Sequence, residues 1–193
     1  MSPAPWRSPL ARALHHNRSA VDARYFQLAT VDDQGYPHNR TVVFRGFVAG
    51  GDDLQMITDA RSQKLAQLQD QSWGAICWYF RKSREQFRLR GAIEVIAHDA
   101  PYPEFQQARL QMWQSISDNA RAQFLWPEPG APKADPSDFE IMAAQETIPV
   151  TFVLLWLNPQ QVEHLELRGE PQNRTLYQYK RETEQWRMQA LNP

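Results

Sequence analysis

Between Tyr25 and Ala97 the chain alternates short β-rich runs with polar breaks too brief for anything but reversal of direction. Tyr25–Val31 stops at Asp32-Asp33-Gln34-Gly35, and Arg40–Phe47 stops at Ala49-Gly50-Gly51-Asp52-Asp53. Leu54–Thr58 runs into Ser62–Gln69, which has helix character, with Leu65 and Leu68 apolar and Asp59 or Ser62 as N-cap. Trp73–Phe80 and Glu85–Ala97 flank the turn Arg81-Lys82-Ser83-Arg84. A parallel neighbour needs a crossover of a dozen or more residues, so these breaks predict antiparallel pairing. The first three strands read as a meander.

The later chain extends the same plan. Trp6, Leu10, Ala13 and Leu14 are spaced for one face of a short N-terminal helix, closed by His15-His16, which read as a capping or solvated pair. Pro101–Phe124 is the main helical region, with a break and a new N-cap at Ser117-Asp118-Asn119. The Pro-rich stretch 126–136 predicts an extended loop, and Ser137-Asp138 opens a short helix to Gln145. Val150–Leu157 and Gln161–Leu167 read as two strands around Asn158-Pro159, and Thr175–Lys180 with Gln185–Leu191 as a last hairpin. Residues 1–193 thus form a single domain, mainly β (α+β): an antiparallel barrel with an N-terminal helix and helices inserted mid-chain.

Trp73–Phe80 is apolar on both faces, hence central. Along the next strand Phe87, Leu89 and Gly91 share one face, and Gln86, Arg88 and Arg90 the other, a face that covers a core or lines a site.

Composition excludes several classes. A formal charge of −1 argues against a general polyanion binder, so no nucleic-acid partner is expected. The one cysteine, Cys77, rules out an internal disulfide and reads as a buried, inert thiol in a reducing compartment. The N-terminus lacks an apolar signal region, and no apolar run approaches the ~20 residues of a membrane span, so a soluble cytoplasmic protein is expected. G-x-G-x-x-G, the P-loop and G-x-S-x-G are absent, and His38, His98 and His164 stand isolated, so neither a metal site nor a hydrolytic triad is expected.

What remains is a set of cations: Arg40, Arg45, Lys64, Arg88 and Arg90. Arg offers a fork and Lys a point charge to a phosphomonoester, and Lys64 lies in the first turn of its helix, where free backbone N–H groups also favour an anion. Arg40 and Arg45 are five residues apart, so an ideal strand sends them to opposite faces. By spacing alone, solvated strand-end cations account for the pattern better than a ligand does.

Beyond spacing, the ordered set of blocks resembles the pyridoxamine 5′-phosphate oxidase family. The blocks are Arg40-Thr-Val-Val-Phe-Arg45-Gly46, Ile57-Thr58, Ser62-Gln63-Lys64, Gln86-Phe-Arg88-Leu-Arg-Gly91, Arg174, and Trp186 to Pro193. The Trp113 to Gly130 run is similar to that of a cyanobacterial and plant subgroup. The resemblance implies an FMN-binding split β-barrel, a homodimer with flavin mononucleotide (FMN) at the subunit interface, and a small-molecule reductant. Arg40, Thr58, Ser62 and Lys64, with Thr41 and Gln63 in the same stretches, would surround the FMN phosphate and ribityl chain. Arg45, Val42 and Val43 would lie along the isoalloxazine, and Gln86 and Arg88 would reach it from the adjacent strand. Arg174, Arg121, Gln123 and Trp126 would come from the partner.

The departures from the family pattern touch the flavin residues lightly and the substrate residues heavily. Its Ser-Arg-Lys is Ser62-Gln63-Lys64, its strand-end Lys is Arg45, and its late flavin-stacking Trp falls at Leu165. The Tyr, Arg and Ser that hold a vitamer phosphate correspond to Gln114, Asp118 and Ala122, and the Arg-x-His before the late Arg to Glu170-Pro171-Gln172. The resemblance therefore implies an FMN-dependent oxidoreductase acting on another reductant. A flavin-binding or redox-sensing protein without turnover, or the same barrel with a deazaflavin or haem, stands as an alternative.

Overall fold

The computed structural model describes residues 3–140 and 147–193. Helix α1 (Arg7–His16) is followed by strands β1 (Tyr25–Val31), β2 (Pro37–Val43), β3 (Gly46–Phe47) and β4 (Leu54–Asp59). Helix α2 (Gln63–Asp70) leads to β5 (Trp73–Phe80) and β6 (Glu85–Ile96). Helices α3 (Pro103–Ser115) and α4 (Asp118–Ala122) precede β7 (Phe152–Glu166), β8 (Asn173–Lys180) and β9 (Gln185–Leu191). The predicted helix to Gln145 begins as a 3₁₀ turn, Pro136–Phe139, and its remainder, from 141, lies outside the described residues.

All these strands join one curled antiparallel sheet, in the order β2-β1-β5-β6-β7-β4-β3, and β8 and β9 branch from β7. The branch arises because Asn158-Pro159 does not end a strand as expected. β7 runs through it as one strand of 15 residues, paired with β6 along one edge. On its other edge the first half, Phe152–Leu157, pairs with β4, and the second, Gln161–Glu166, pairs with β8. Proline has no N–H to give a ladder, so it fits where one partner leaves and another begins. Opposite it β6 is irregular between Arg90 and Gly91. There the backbones come so close that a Cβ on Gly91 would lie 1.8 Å from the Asn158 carbonyl oxygen.

The expected strand Arg40–Phe47 is also different. It breaks at Phe44-Arg45, where the Phe44 amide donates to Arg24 O and the Arg45 amide to Gln55 O. The chain leaves β1 here and joins β4, helped by Gly46 at φ 137°. β2 and β4 are therefore not meander neighbours: β2 pairs with β1, and β4 lies between β3 and β7.

Inside the curl, Phe26, Leu28, Trp78, Phe80, Phe87, Leu89 and Val162 pack with Trp6, just before α1, and with Leu10 of α1. A second cluster joins Met112, Trp113, Ile116 and Phe124 to Phe152 and Leu154 on the opposite face of β7. This burial on both faces explains the unbroken apolar run at the start of β7. Arg109 is buried there too, donating to the Phe152 and Pro149 carbonyls. β5 is central, as its composition predicts, but its outward Trp73 and Tyr79 remain 38% and 44% exposed in the single chain.

Because the obstacle at Gly91 is backbone, Gly91→Ala is expected to cost about 3 kcal/mol or more. Urea unfolding followed by Trp fluorescence checks this. Gly74→Ala, which meets the movable end of Ile93 at 2.5 Å, is expected to cost less.

Candidate functional site

Arg40 lies opposite Leu28 in the β1–β2 ladder. Its guanidinium donates to Thr30 Oγ1 at 2.6 Å, Leu28 O at 3.2 Å and Gln67 Oε1 at 3.1 Å. Gln67 Oε1 also accepts from the buried Thr30 hydroxyl at 2.6 Å. This fixes the guanidinium against α2, whose first turn carries the second cation. Lys64 Nζ donates to Thr58 Oγ1 at 2.8 Å, Thr58 Oγ1 lies 3.1 Å from Ser62 Oγ, and Ser62 Oγ donates to Asp59 O. Ser62 makes no side-chain cap bond to α2; the Leu65 amide donates to Ser62 O, and the Gln63 and Lys64 amides receive no cap from the Ser62 side chain.

Among the described residues neither Arg40 nor Lys64 has a carboxylate partner. The nearby Asp59 is held by Arg61, through Nε at 2.9 Å and Nη2 at 2.7 Å. Arg61 also donates to Trp126 O, which ties the Pro-rich loop to the site's edge. Burial pushes the Lys64 ammonium below its ordinary value of 10.5, and the Arg40 charge pushes it further, with Asp59 opposing. Burial likewise lowers Arg40. Two half-buried, mutually repelling cations beside a helix N-terminus form an arrangement that a phosphate dianion would neutralise.

Other predicted residues lie elsewhere. Thr41 and Gln63 are exposed, and Val42 and Val43 are half-buried. Arg45 is beyond the break in the strand, near Arg24 and Tyr25, and is lowered first by burial and then by the Arg24 charge. Its Nε is buried without a hydrogen-bond partner. Gln86, Arg88 and Arg174 come together on the outward face of β6, β7 and β8, where Gln86 and Arg174 both stand opposite Leu165. Arg88 and Arg174 each donate to Glu163 Oε2 at 2.5 Å. Burial works to raise the Glu163 carboxyl, but the bonds from Arg174 and Arg88 and their charges outweigh it and hold it low. One chain thus presents two cationic groups, the first with Arg40 on the inward row of β2 and the second outward on β6–β8.

Arg121 has a role within its own chain. It donates to the Trp113 and Gln114 carbonyls and to Asp118, closing the end of α3. Gln123 is exposed in the 3₁₀ turn that follows. Cys77 is half-buried rather than buried, and burial raises its thiol. The histidines are less isolated than their sequence positions suggest: His38 lies 2.8 Å from Asp32, and His164 lies 2.7 Å from Glu85. Sequence reasoning missed Gln67, Thr30 and Glu163. For Gln67 a signal existed, since it falls on the buried face of α2 beside Leu68.

Residues 3–97 match the family model described as pyridoxamine 5′-phosphate oxidase, FMN-binding domain. A pyridoxine/pyridoxamine 5′-phosphate oxidase 2 of Arabidopsis thaliana is 38% identical over 167 residues, 86% of this chain and 84% of that one. The chain belongs to the pyridoxamine 5′-phosphate oxidase family. A crystal structure of a pyridoxamine 5′-phosphate oxidase-related, FMN binding protein from Nostoc punctiforme superposes with a TM-score of 0.96 over the whole of both chains, at 51% identity. The curled, branched sheet is thus the split barrel of this family. A pyridoxine/pyridoxamine 5′-phosphate oxidase of Allorhizobium ampelinum is 35% identical over 88 residues, 46% of this chain and 41% of its own length.

A lysine whose folded-state value lies below the unfolded one costs stability wherever it is charged. The cost is full below the folded value and is relieved as pH rises toward the unfolded one. Lys64→Met is therefore expected to stabilise the ligand-free protein at neutral pH by about 0.5–1 kcal/mol. The gain should shrink as pH rises through the lowered Lys64 value toward the ordinary 10.5. Thermal unfolding of both proteins across that range checks the sign.

Proposed function

We propose that this chain binds FMN and is an FMN-dependent oxidoreductase of the cytoplasm, acting on a reductant other than a vitamer phosphate. The observation that carries the reading is the Arg40–Lys64 pair, held by Thr30, Gln67 and Thr58 with no carboxylate against it among the described residues. Structural cations are usually paired, and leaving two together costs folding energy that only an anionic ligand repays. Arg40 and Lys64 would take the phosphate, aided by the Ser62 hydroxyl and the first-turn amides of α2. Arg45, whose orphaned Nε lacks an acceptor, would face the ring system with Val42 and Val43. Bound FMN would supply the redox chemistry, accepting a hydride at its ring, while the protein positions and desolvates the reactants.

The second cationic group fits a homodimer. Gln86, Arg88 and Arg174 look outward beside exposed apolar side chains, Tyr25, Trp73 and Tyr79. A second copy laid on this face would cover them and bring one chain's outward group toward the other's Arg40–Lys64 site. The substrate reading rests on what stands where the family resemblance places vitamer-phosphate ligands. Gln114 and Asp118 are exposed, and Asp118 carries a charge that repels a dianion.

Purified protein is expected to be yellow, or to take up one FMN per chain on titration. Protein that stays colourless with added FMN would overturn the reading. Arg40→Ala is expected to weaken FMN binding by about 1.5–3 kcal/mol, the scale of a charged hydrogen bond.

Affinity should also fall on the alkaline side as Lys64 loses its proton, at a lower pH than the ordinary 10.5. Fluorescence titration across pH checks it. Under anaerobic conditions, reduction by pyridoxamine phosphate is expected to be slow compared with other amines or nicotinamide cofactors. Rapid reduction by pyridoxamine phosphate would overturn the substrate claim.

A further inference from the structure

Asp59 ends β4, next to Thr58, which accepts the bond from Lys64 Nζ, and shortly before Ser62, the N-cap of α2. Arg40 and Asp59 are the charged groups that act on Lys64, with opposite signs. A bare carboxylate here would work against an anion site twice, by offsetting Lys64 and by repelling the incoming ligand. The chain does not leave it bare. Asp59 Oδ1 accepts from the Arg61 amide at 2.8 Å and from Arg61 Nε at 2.9 Å, and Asp59 Oδ2 accepts from Arg61 Nη2 at 2.7 Å. Both carboxylate oxygens are thus engaged by one residue. The Asp59 and Arg61 side chains are 12% and 29% exposed, so water screens them less than it screens a fully open pair.

The grip needs an arginine. Two nitrogens of the guanidinium fork take the carboxylate, and Nη1 donates to Trp126 O at 2.9 Å. An ammonium offers the charge without this set of directions. The bond to Asp59 raises the Arg61 guanidinium above its ordinary value against the opposing pull of burial, and the charges of Asp59 and Glu128 add to the rise. The pair therefore stays ionised and its charges sum to zero. Removing Arg61 alone leaves one uncompensated negative charge near Lys64. Removing both charges returns the sum to zero, with the Trp126 bond still missing.

We propose that Arg61 is a positioning residue of the Arg40–Lys64 site: it cancels the Asp59 charge and so keeps the Lys64 ammonium available to a phosphate. The consequence for a ligand rests on the FMN reading above, whereas the consequence for Lys64 stands without it.

The test uses the full chain and two readouts. NMR of lysine-labelled protein, with the Lys64 signal identified by its loss in Lys64→Met, follows the ammonium without a ligand, and FMN fluorescence titration follows the site. In Arg61→Ala the Lys64 titration should move to higher pH and FMN binding should weaken about tenfold. In the double variant Asp59→Asn, Arg61→Ala both should return toward the unaltered protein, because the neutral sum is restored. An unchanged Lys64 titration in Arg61→Ala overturns the proposal, and so does unchanged affinity for FMN. A loss of affinity that persists in the double variant overturns it as well, and assigns Arg61 to holding the Pro-rich loop. Failure of the unaltered protein to bind FMN overturns the FMN reading alone, and the Lys64 titration then decides the role of Arg61.

Discussion

The close crossing of Gly91 with Asn158-Pro159 is the constraint on which the rest of the sheet depends. Because β6 has no side chain there, β7 can continue past its proline without losing its partner, and its free edge can change partners midway. The first half delivers β4, and with it Thr58, Ser62 and Lys64 at the strand's end. The second half delivers β8, and with it Arg174 against Glu163. Both cationic groups are therefore positioned by one strand. A substitution that separates β6 from β7 disturbs both at once.

The two groups are treated differently by the protein. On the outward face Glu163 stands between Arg88 and Arg174, so three charges largely satisfy one another in a setting open to water. Such an arrangement holds its geometry with or without a ligand and contributes modestly to stability. On the inward side Arg40 and Lys64 face each other with hydroxyl and amide oxygens for company, and the nearby Asp59 carboxylate is occupied by Arg61. Hydroxyls and amides orient cations without neutralising them. That combination, fixed geometry with unspent charge, is what distinguishes a binding site from a structural ion pair.

Much of the architecture was legible because short turns leave few topological choices. Strands β1 and β5 were readable to the residue, since a β-rich run is bounded by polar residues in each case. The breaks were not readable. Arg40 to Phe47 is continuous in β propensity, and only the switch of partner from β1 to β4, a long-range event, divides it at Phe44-Arg45. Pro159 misled in the opposite direction, because a proline in a strand normally signals an end, and here it marks a fork. In the candidate site, Arg40, Thr58, Ser62 and Lys64 were singled out from ordered blocks, and the fold brings their side chains together. Gln67 could be placed on the buried face of α2 beside Leu68, but neither it nor the buried Thr30 carries a local sign that it holds an arginine.

Opposite faces of the same two strands carry unlike chemistry, and the pleat accounts for it. Gln86 and Arg88 alternate with Glu85 and Phe87, and Glu163 and Leu165 with His164 and Glu166, so a shift of register by one residue would exchange the two sets. Phe87 and Val162, packed in the core, prevent that shift, because sliding would bring Arg88 and Glu163 into the apolar interior. The apolar residues between the polar ones thus decide which charges meet. His164 bonds Glu85 only because Phe87 is locked beneath its ring. Arg88 meets Glu163 because the same locking turns both toward solvent. Core packing and electrostatics along β6 and β7 are one constraint, and neither can be redesigned without the other.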